Sequence, residues 1–112
     1  MNKEIKKKWL TGLRSGKYRQ GSGSLNNKNR FCCLGVLCDL AEQEGIVVST
    51  TKTELYGRRA YGTYTDYLPD VVMKWAELDE YNPSVHPGIT LSKLNDDNYD
   101  FQTIARVIEV AL

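Results

Sequence analysis

The ten residues from Phe31 to Leu40, Phe-Cys-Cys-Leu-Gly-Val-Leu-Cys-Asp-Leu, restrict the possible folds more than any other part of the chain. In the first half of the segment from Cys32 to Glu44, apolar side chains fall on every side of a helix with 3.6 residues per turn. Such a helix is stable in water only when other elements enclose it. The sequence therefore predicts a central buried helix that Gly45 closes.

Three further segments have helical periodicity and could enclose this central helix. The first is amphipathic and ends at Ser15-Gly16, the second starts at Leu68-Pro69-Asp70, and the last is capped by Asp100. Residues 91–94 can add one helical turn, which Asn95 to Asn98 should break. The apolar positions are Ile5, Trp9, Leu10 and Leu13; Val72, Trp75 and Ala76; and Phe101, Ile104, Ala105, Ile108 and Leu112.

The remaining segments favour turns and short strands. Residues 16–29 are rich in Gly, Ser and Asn and predict turns with one short hairpin that ends at Arg30-Phe31. The β-branched residues 46–48 and the tyrosine-rich residues 54–67 predict short strands, and residues 83–88 a loop. We expect one α+β domain over residues 1–112, with three to four helices around a central Cys-rich buried helix and a small antiparallel sheet.

Composition limits the class of protein. With 41% hydrophobic residues the chain can bury a core without a disulfide or a metal, and we expect no cofactor. No apolar run reaches the ~18 residues of a membrane span, and no signal-peptide pattern follows the first lysines, so we expect a cytoplasmic protein with no membrane partner. Cys32, Cys33 and Cys38 lie within seven positions, and their odd number suits reduced, buried thiols.

The net charge of +1 hides a strong asymmetry. Residues 1–30 contain nine Lys or Arg and one acid, Glu4, so this end carries +8 and the other 82 residues carry −7. A basic end on an acidic body favours either an anion-binding edge or contact between copies of the chain. We therefore expect a homo-oligomer.

Three segments of the chain form a distinctive series. They are residues 9–25, W-L-x-x-L-R-S-G-K-Y-x-Q-G-x-G-x-L; residues 31–40, F-C-C-L-G-V-L-C-D-L; and L-N-D at 94–96 followed by F-x-x-I-A-x-x-I-E at 101–109. In this order, with Leu68-Pro69 and Trp75-Ala76 between them, they resemble a family of small proteins encoded by bacteriophages. The resemblance implies a phage product in a bacterial cytoplasm, an accessory protein that acts on the host. It implies no settled activity, and it is weakest over residues 49–65.

The stretch Lys17-Tyr18-Arg19-Gln20-Gly21-Ser22-Gly23 is the first candidate ligand site. Its glycines let backbone N–H groups approach an anion, while the cations supply charge and the tyrosine a stacking face. The spacing of a phosphate-binding P-loop is missing. The structural alternative is a solvated turn, in which Tyr18 covers the core edge and Gln20 holds the loop.

A cysteine hydrolase is the enzymatic alternative. Cys32 or Cys33 at a helix N-terminus would be the nucleophile, His86 its base, and Asn95 or Asp96 the group that orients the base. Both thiols lie in an apolar run, which favours buried packing over catalysis. The cysteine spacing is also poor for zinc, so we expect no metal.

Three further patterns have both a functional and a structural interpretation. Asn95-Asp96-Asp97-Asn98 could bind a cation, although it lacks the Gly and Glu of a calcium loop, could accept hydrogen bonds from a base or ribose, or could form a turn with a helix cap. Arg58-Arg59, beside three tyrosines, could clamp a phosphate or protect an edge strand. Residues 91–112 could form a helix-turn-helix, but three aspartates precede the reading helix and would repel a DNA backbone, so we do not expect DNA as a partner.

These patterns favour a non-catalytic protein that binds and sequesters a small anionic ligand. Given the phage-like context, we expect a nucleotide immune signal of the bacterial host, such as a cyclic nucleotide or an ADP-ribose derivative. The alternatives are the cysteine hydrolase and an inhibitor that presents the basic face to a host protein.

Overall fold

The computed structural model describes residues 1–112 and confirms an α+β fold. It contains five α-helices, the Cys-rich helix and four others, which agrees with the predicted three to four helices around it. None of the helices combines the length and the apolar character needed to cross a membrane. The helices are α1 Lys3–Arg14, α2 Cys33–Gln43, α3 Asp70–Trp75, α4 Leu91–Asp96 and α5 Phe101–Ala111.

Helix α2 lies within the hydrophobic core and packs against α1, α3 and α4. Seven of its residues are buried, from Cys33 through Cys38 and at Ala41. The indole Nε1 of Trp9 on α1 donates to the carbonyl oxygen of Cys33 at 2.9 Å. This bond satisfies the polar atom of a fully buried tryptophan and fixes α1 across the start of α2.

The backbone of α2 also approaches the backbone of the preceding loop closely. A Cβ atom placed on Gly35 would lie 1.7 Å from the carbonyl oxygen of Leu25. The same oxygen accepts the N–H of Cys32 at 3.3 Å. Position 35 therefore requires glycine because any side chain would collide with the backbone of Leu25, and not because of a positive φ angle.

The main sheet has five short strands in the order β1-β3-β2-β5-β4. The strands β1 and β3 are parallel and the other pairs are antiparallel, so the sheet is mixed and not antiparallel as predicted. The predicted hairpin ending at Arg30-Phe31 is confirmed as β2 and β3, joined through Lys28 and Asn29 with positive φ. The strands are β1 Arg19–Gln20, β2 Asn26–Asn27, β3 Arg30–Phe31, β4 Ser49–Lys52 and β5 Arg58–Tyr61.

Several local predictions need correction. The strand predicted at residues 46–48 begins at Ser49, because the N–H of Ile46 bonds back to Ala41 at the end of α2. Residues 53–55 form a 3-10 turn, where a strand was expected. The expected loop at residues 83–88 contains strand β6, Ser84–His86, which pairs with β7, Ile89–Thr90. The expected break at Asn95 is wrong, since α4 continues through Asp96.

The contact at Gly35 gives the first prediction. Gly35→Ala should lower the free energy of unfolding by about 3 kcal/mol or more, because the methyl group meets backbone that cannot rotate away. Gly12→Ala on α1 is the matched control: its Cβ would make ordinary contacts of 3.4 Å and longer, so a helix-interior gain of up to about 1 kcal/mol is expected. Urea denaturation of both variants measures the difference. Wild-type stability in Gly35→Ala would contradict the packing described.

Candidate functional site

The Gly-rich loop after α1 is held against the α4–α5 junction by Gln20. Its Nε2 donates to the side-chain oxygen of Asn95 at 3.0 Å and to the carbonyl oxygen of Tyr99 at 2.8 Å. Its Oε1 accepts the N–H of Phe101, the first residue of α5, at 3.1 Å. Both the nitrogen and the oxygen of the Gln20 carboxamide therefore form hydrogen bonds, as expected if Gln20 holds the loop in place.

Asn95 is the buried centre of this network, with 2% of its surface exposed. Its Oδ1 also accepts the N–H of Cys33 at 3.2 Å, and its Nδ2 donates to the carbonyl oxygen of Gly21 at 2.7 Å. The neighbouring Asp96 accepts the N–H of Gly23 at 3.1 Å. The loop and the Asn95-Asp96 pair, which the sequence proposed as separate candidates, therefore form one structure.

A polar cavity of about 490 Å³ opens where the loop, the β2–β3 hairpin and the start of α5 meet. No hydrophobic residue lines it. Arg30 is its one cation and Asp100 its one carboxylate, and Arg30 has no carboxylate within ion-pair distance. The lining residues are Gln20, Gly21, Ser22, Asn27, Arg30, Asn95, Asn98 and Asp100.

Two lining residues have distinctive electrostatics. The buried oxygen Oδ1 of Asn27 has no hydrogen-bond partner, which is unusual for a shielded acceptor. Asp100 caps α5 by accepting the N–H of Thr103 at 2.8 Å, and this bond lowers the pKa of its carboxyl below the ordinary value. Asp100 therefore stays ionised at neutral pH, so the cavity holds one fixed charge of each sign.

Lys17 and Tyr18 lie outside this cavity, although the sequence grouped them with Gln20 and Gly21. They line a separate cavity of about 560 Å³ beside α1, together with Leu40 and Gln43. The hydroxyl of Tyr18 donates to Asp39 at 2.5 Å, and its ring meets Phe31 edge to face at 5.0 Å. Burial and the Asp39 carboxylate raise the pKa of Tyr18 well above its usual value. The candidate stretch is thus divided between two surfaces.

Arg58 and Arg59 also separate, because neighbouring residues of a strand point to opposite faces of a sheet. The Nε of Arg59 donates to the hydroxyl of Ser49 at 2.6 Å, and its Nη1 donates to that of Thr51 at 2.9 Å. Arg58 is the β5 residue paired with Asn27 on β2. Only Arg58 is therefore placed next to a cavity residue.

The three thiols are buried and make structural contacts. Cys32 caps α2, its sulfur accepting the N–H of Gly35 at 3.4 Å, and burial raises its thiol pKa to about 11. Burial also raises the pKa values of Cys33 and Cys38 well above the usual range. Cys32 and Asp96 share a small cavity of about 160 Å³, but His86 lies on exposed β6 and does not line it.

Part of the basic charge of residues 1–30 is paired within the chain, since Lys8 lies 3.1 Å from Glu44 and Arg14 lies 3.3 Å from Glu109. No three His, Cys, Asp or Glu side chains form a group that could hold a metal ion. The homo-oligomer stays a prediction.

The sequence did not indicate Asn27 or Arg30 as site residues, and it indicated Asp100 only as a helix cap. Ser22 and Asn98 belong to the two candidate stretches that the sequence singled out. The hairpin pattern gave a partial signal, because it places Asn27 opposite Arg30. The cavity itself depends on the distant α4–α5 junction, which no local pattern brings to the hairpin.

The fold and the cavity define a small α+β domain with a polar, ligand-sized concavity. Over residues 1–112 the chain matches a family described as a domain of unknown function (DUF8296), and it belongs to that family. No curated protein and no solved structure shows a significant match to the chain.

The Asn95 network gives the second prediction. Asn95→Ala should lower the free energy of unfolding by about 2 to 4 kcal/mol, because it leaves the Cys33 N–H and the Gly21 carbonyl without their partner. Asp97→Ala, two residues along, removes only an exposed pair with Lys93 and should change stability by about 0.5 kcal/mol or less. Thermal and urea unfolding compare the two. Equal effects would contradict the central role of Asn95.

Proposed function

We propose that this protein is a non-catalytic binding protein that holds a small anionic ligand in the polar cavity around Arg30. One observation carries the proposal: an arginine without a carboxylate partner opens into a cavity lined entirely by polar residues. The planar guanidinium group of arginine matches the oxygens of a phosphate or carboxylate in a two-bond geometry. The volume of about 490 Å³ is in the range of small-molecule sites.

The lining favours a ligand that is polar throughout. Carboxamides of Asn27 and Asn98 and the hydroxyl of Ser22 offer donors and acceptors around the cation. The ribose and phosphate parts of a nucleotide carry this combination of groups.

Stacking of a base on Tyr18, which the sequence suggested, has little support. Its hydroxyl and its ring both have partners within the protein, and it borders the other cavity. We therefore assign the polar part of the ligand to the Arg30 cavity and leave Tyr18 a packing role.

Binding has more support than turnover. The hydrolase alternative needs a thiolate, but the pKa of about 11 keeps Cys32 protonated at neutral pH. Its base would be His86, which lies on an exposed strand outside the Cys32 cavity. A protein that holds its ligand without changing it needs neither group.

The biological setting of the proposal comes from the resemblance to phage proteins. A phage protein that sequesters a nucleotide immune signal in the host cytoplasm would need a ligand site and no catalytic machinery. We propose cyclic nucleotides and ADP-ribose derivatives as the first compounds to examine.

The third prediction tests the cavity. At 100 times its dissociation constant, a cyclic dinucleotide or ADP-ribose should stabilise the protein by ~2.7 kcal/mol, raising the melting temperature by about 10 °C or more. Arg30→Gln should weaken that affinity at least about tenfold, because it removes charge-assisted hydrogen bonds. Lys17→Gln removes the same charge from the other cavity and should leave affinity within about twofold.

Two results would contradict the proposal. One is a loss of affinity in Lys17→Gln with wild-type binding in Arg30→Gln, which would move the site to the α1 cavity. The other is recovery of a chemically altered ligand after heat denaturation, measured by mass spectrometry, which would make the protein an enzyme.

A further inference from the structure

Cationic residues form a single row across the five-stranded sheet. Arg19 on β1 pairs with Arg30 on β3, and Arg30 pairs with Asn27 on β2. Asn27 in turn pairs with Arg58 on β5, and Arg58 with Lys52 on β4. Because directly paired residues share a face of the sheet, four cations and one carboxamide line the same face. We call this set the cationic row.

The row is longer than the cavity and includes part of it. Neighbouring strands lie about 4.8 Å apart, so five strands span about 19 Å between the first and last backbones. Arg30 and Asn27 belong to both the row and the cavity wall. Arg19 continues the row on one side, and Arg58 and Lys52 continue it on the other.

The four cations have no partner within the chain. None of them forms an ion pair, and no side-chain hydrogen bond uses them. Arg59 shows the contrast, since both of its bonds hold it to β4. Arg19 beside Arg30 and Arg58 beside Lys52 are like charges placed directly opposite each other, an arrangement that destabilises a sheet. A bound polyanion would relieve this repulsion.

We infer that the cationic row takes the phosphodiester backbone of an oligonucleotide with three or more phosphates, one of which occupies the Arg30 cavity. This inference rests on the proposed function and specifies its ligand class. A phosphate in the cavity meets Arg30, and the following phosphates run along the sheet to Arg58 and Lys52. Mononucleotides and ADP-ribose reach only the cavity. The shared chemistry is a phosphodiester chain, whether it belongs to a cyclic oligonucleotide signal or to a linear single strand.

The fourth prediction concerns binding. Thymidine oligonucleotides of two, four and six residues, and cyclic triadenylate, are titrated at low salt beside ADP-ribose. Affinity should rise at least about tenfold from the two-residue to the six-residue strand, because more cations are engaged. Arg58→Gln and Lys52→Gln should each weaken the six-residue strand about five- to tenfold and leave ADP-ribose within about twofold. Arg30→Gln should weaken both, and Arg59→Gln neither.

Salt dependence gives an independent count of the contacts. For a single strand, the logarithm of the association constant falls with the logarithm of salt concentration with a slope of about −0.7 per neutralised phosphate. Four engaged cations predict a slope of about −3 for the six-residue strand. Each Gln substitution in the row should reduce the slope by about 0.7.

The source of the phosphodiester chain follows from a comparison of two affinities. Tighter binding of cyclic triadenylate than of the four-residue strand would identify a cyclic oligonucleotide as the ligand, and the reverse order a linear strand.

The outcomes separate the row from the cavity. The row proposal is wrong if affinity is equal for all strand lengths, or if Arg58→Gln and Lys52→Gln both bind the six-residue strand as the wild type does. The cavity proposal still holds in that case if ADP-ribose binding depends on Arg30. Length-dependent binding through Arg58 and Lys52, with no binding of ADP-ribose, overturns the small-ligand cavity and leaves the row. No binding of any probe overturns both.

The stability of the free protein tests the row without a ligand. Arg58→Gln should raise the melting temperature by about 1 to 4 °C at low salt, because it removes a like-charge pair, and the gain should disappear at ~1 M salt. Arg59→Gln should lower it, because the bonds to Ser49 and Thr51 are lost. A lower melting temperature in both variants would overturn the row, since Arg58 would then be a structural residue.

Discussion

A single buried carboxamide, that of Asn95, links the parts of the chain on which both the fold and the site depend. Its oxygen accepts the N–H of Cys33, the first residue of α2, and a hydrogen bond from Gln20, and its nitrogen donates to the carbonyl oxygen of Gly21. A buried amide is tolerated only when its hydrogen bonds are made, so the loop, α2 and α4 must come together in one arrangement. That arrangement creates the cavity, because the loop and the α4–α5 junction are two of its walls.

The elements with strong local signals could be predicted from the sequence. The periodic apolar residues of α1 and α5, the uniformly apolar start of α2 and the Asn-rich turn of the β2–β3 hairpin are encoded within short segments. The parallel pairing of β1 with β3 could not be predicted, because the two strands are not consecutive and β2 lies between them in the chain. The β4 strand was misplaced because Ile46 completes the end of α2 and does not begin a strand.

The candidate site was only partly predictable for the same reason. Gln20, Gly21 and Asn95 were found from their residue types, and tertiary contacts brought them together. Lys17 and Tyr18 are adjacent to Gln20 and Gly21 in sequence but border another cavity, beside α1. Arg30 had no local signal beyond its place in a hairpin. Its importance comes from strand register, which places it between Arg19 and Asn27.

We propose that an anionic ligand binds at Arg30 and not beside α1. This can be tested by titrating isotope-labelled protein with ADP-ribose and cyclic triadenylate. The quantity measured is the change in the chemical shifts of the backbone and side-chain amides. If the ligand occupies the Arg30 cavity, the largest shifts should occur at Gly21, Arg30 and the carboxamides of Asn27 and Asn98, with little change at Lys17 and Gln43. Shifts concentrated at Lys17, Tyr18 and Gln43 at saturating ligand would contradict the proposal.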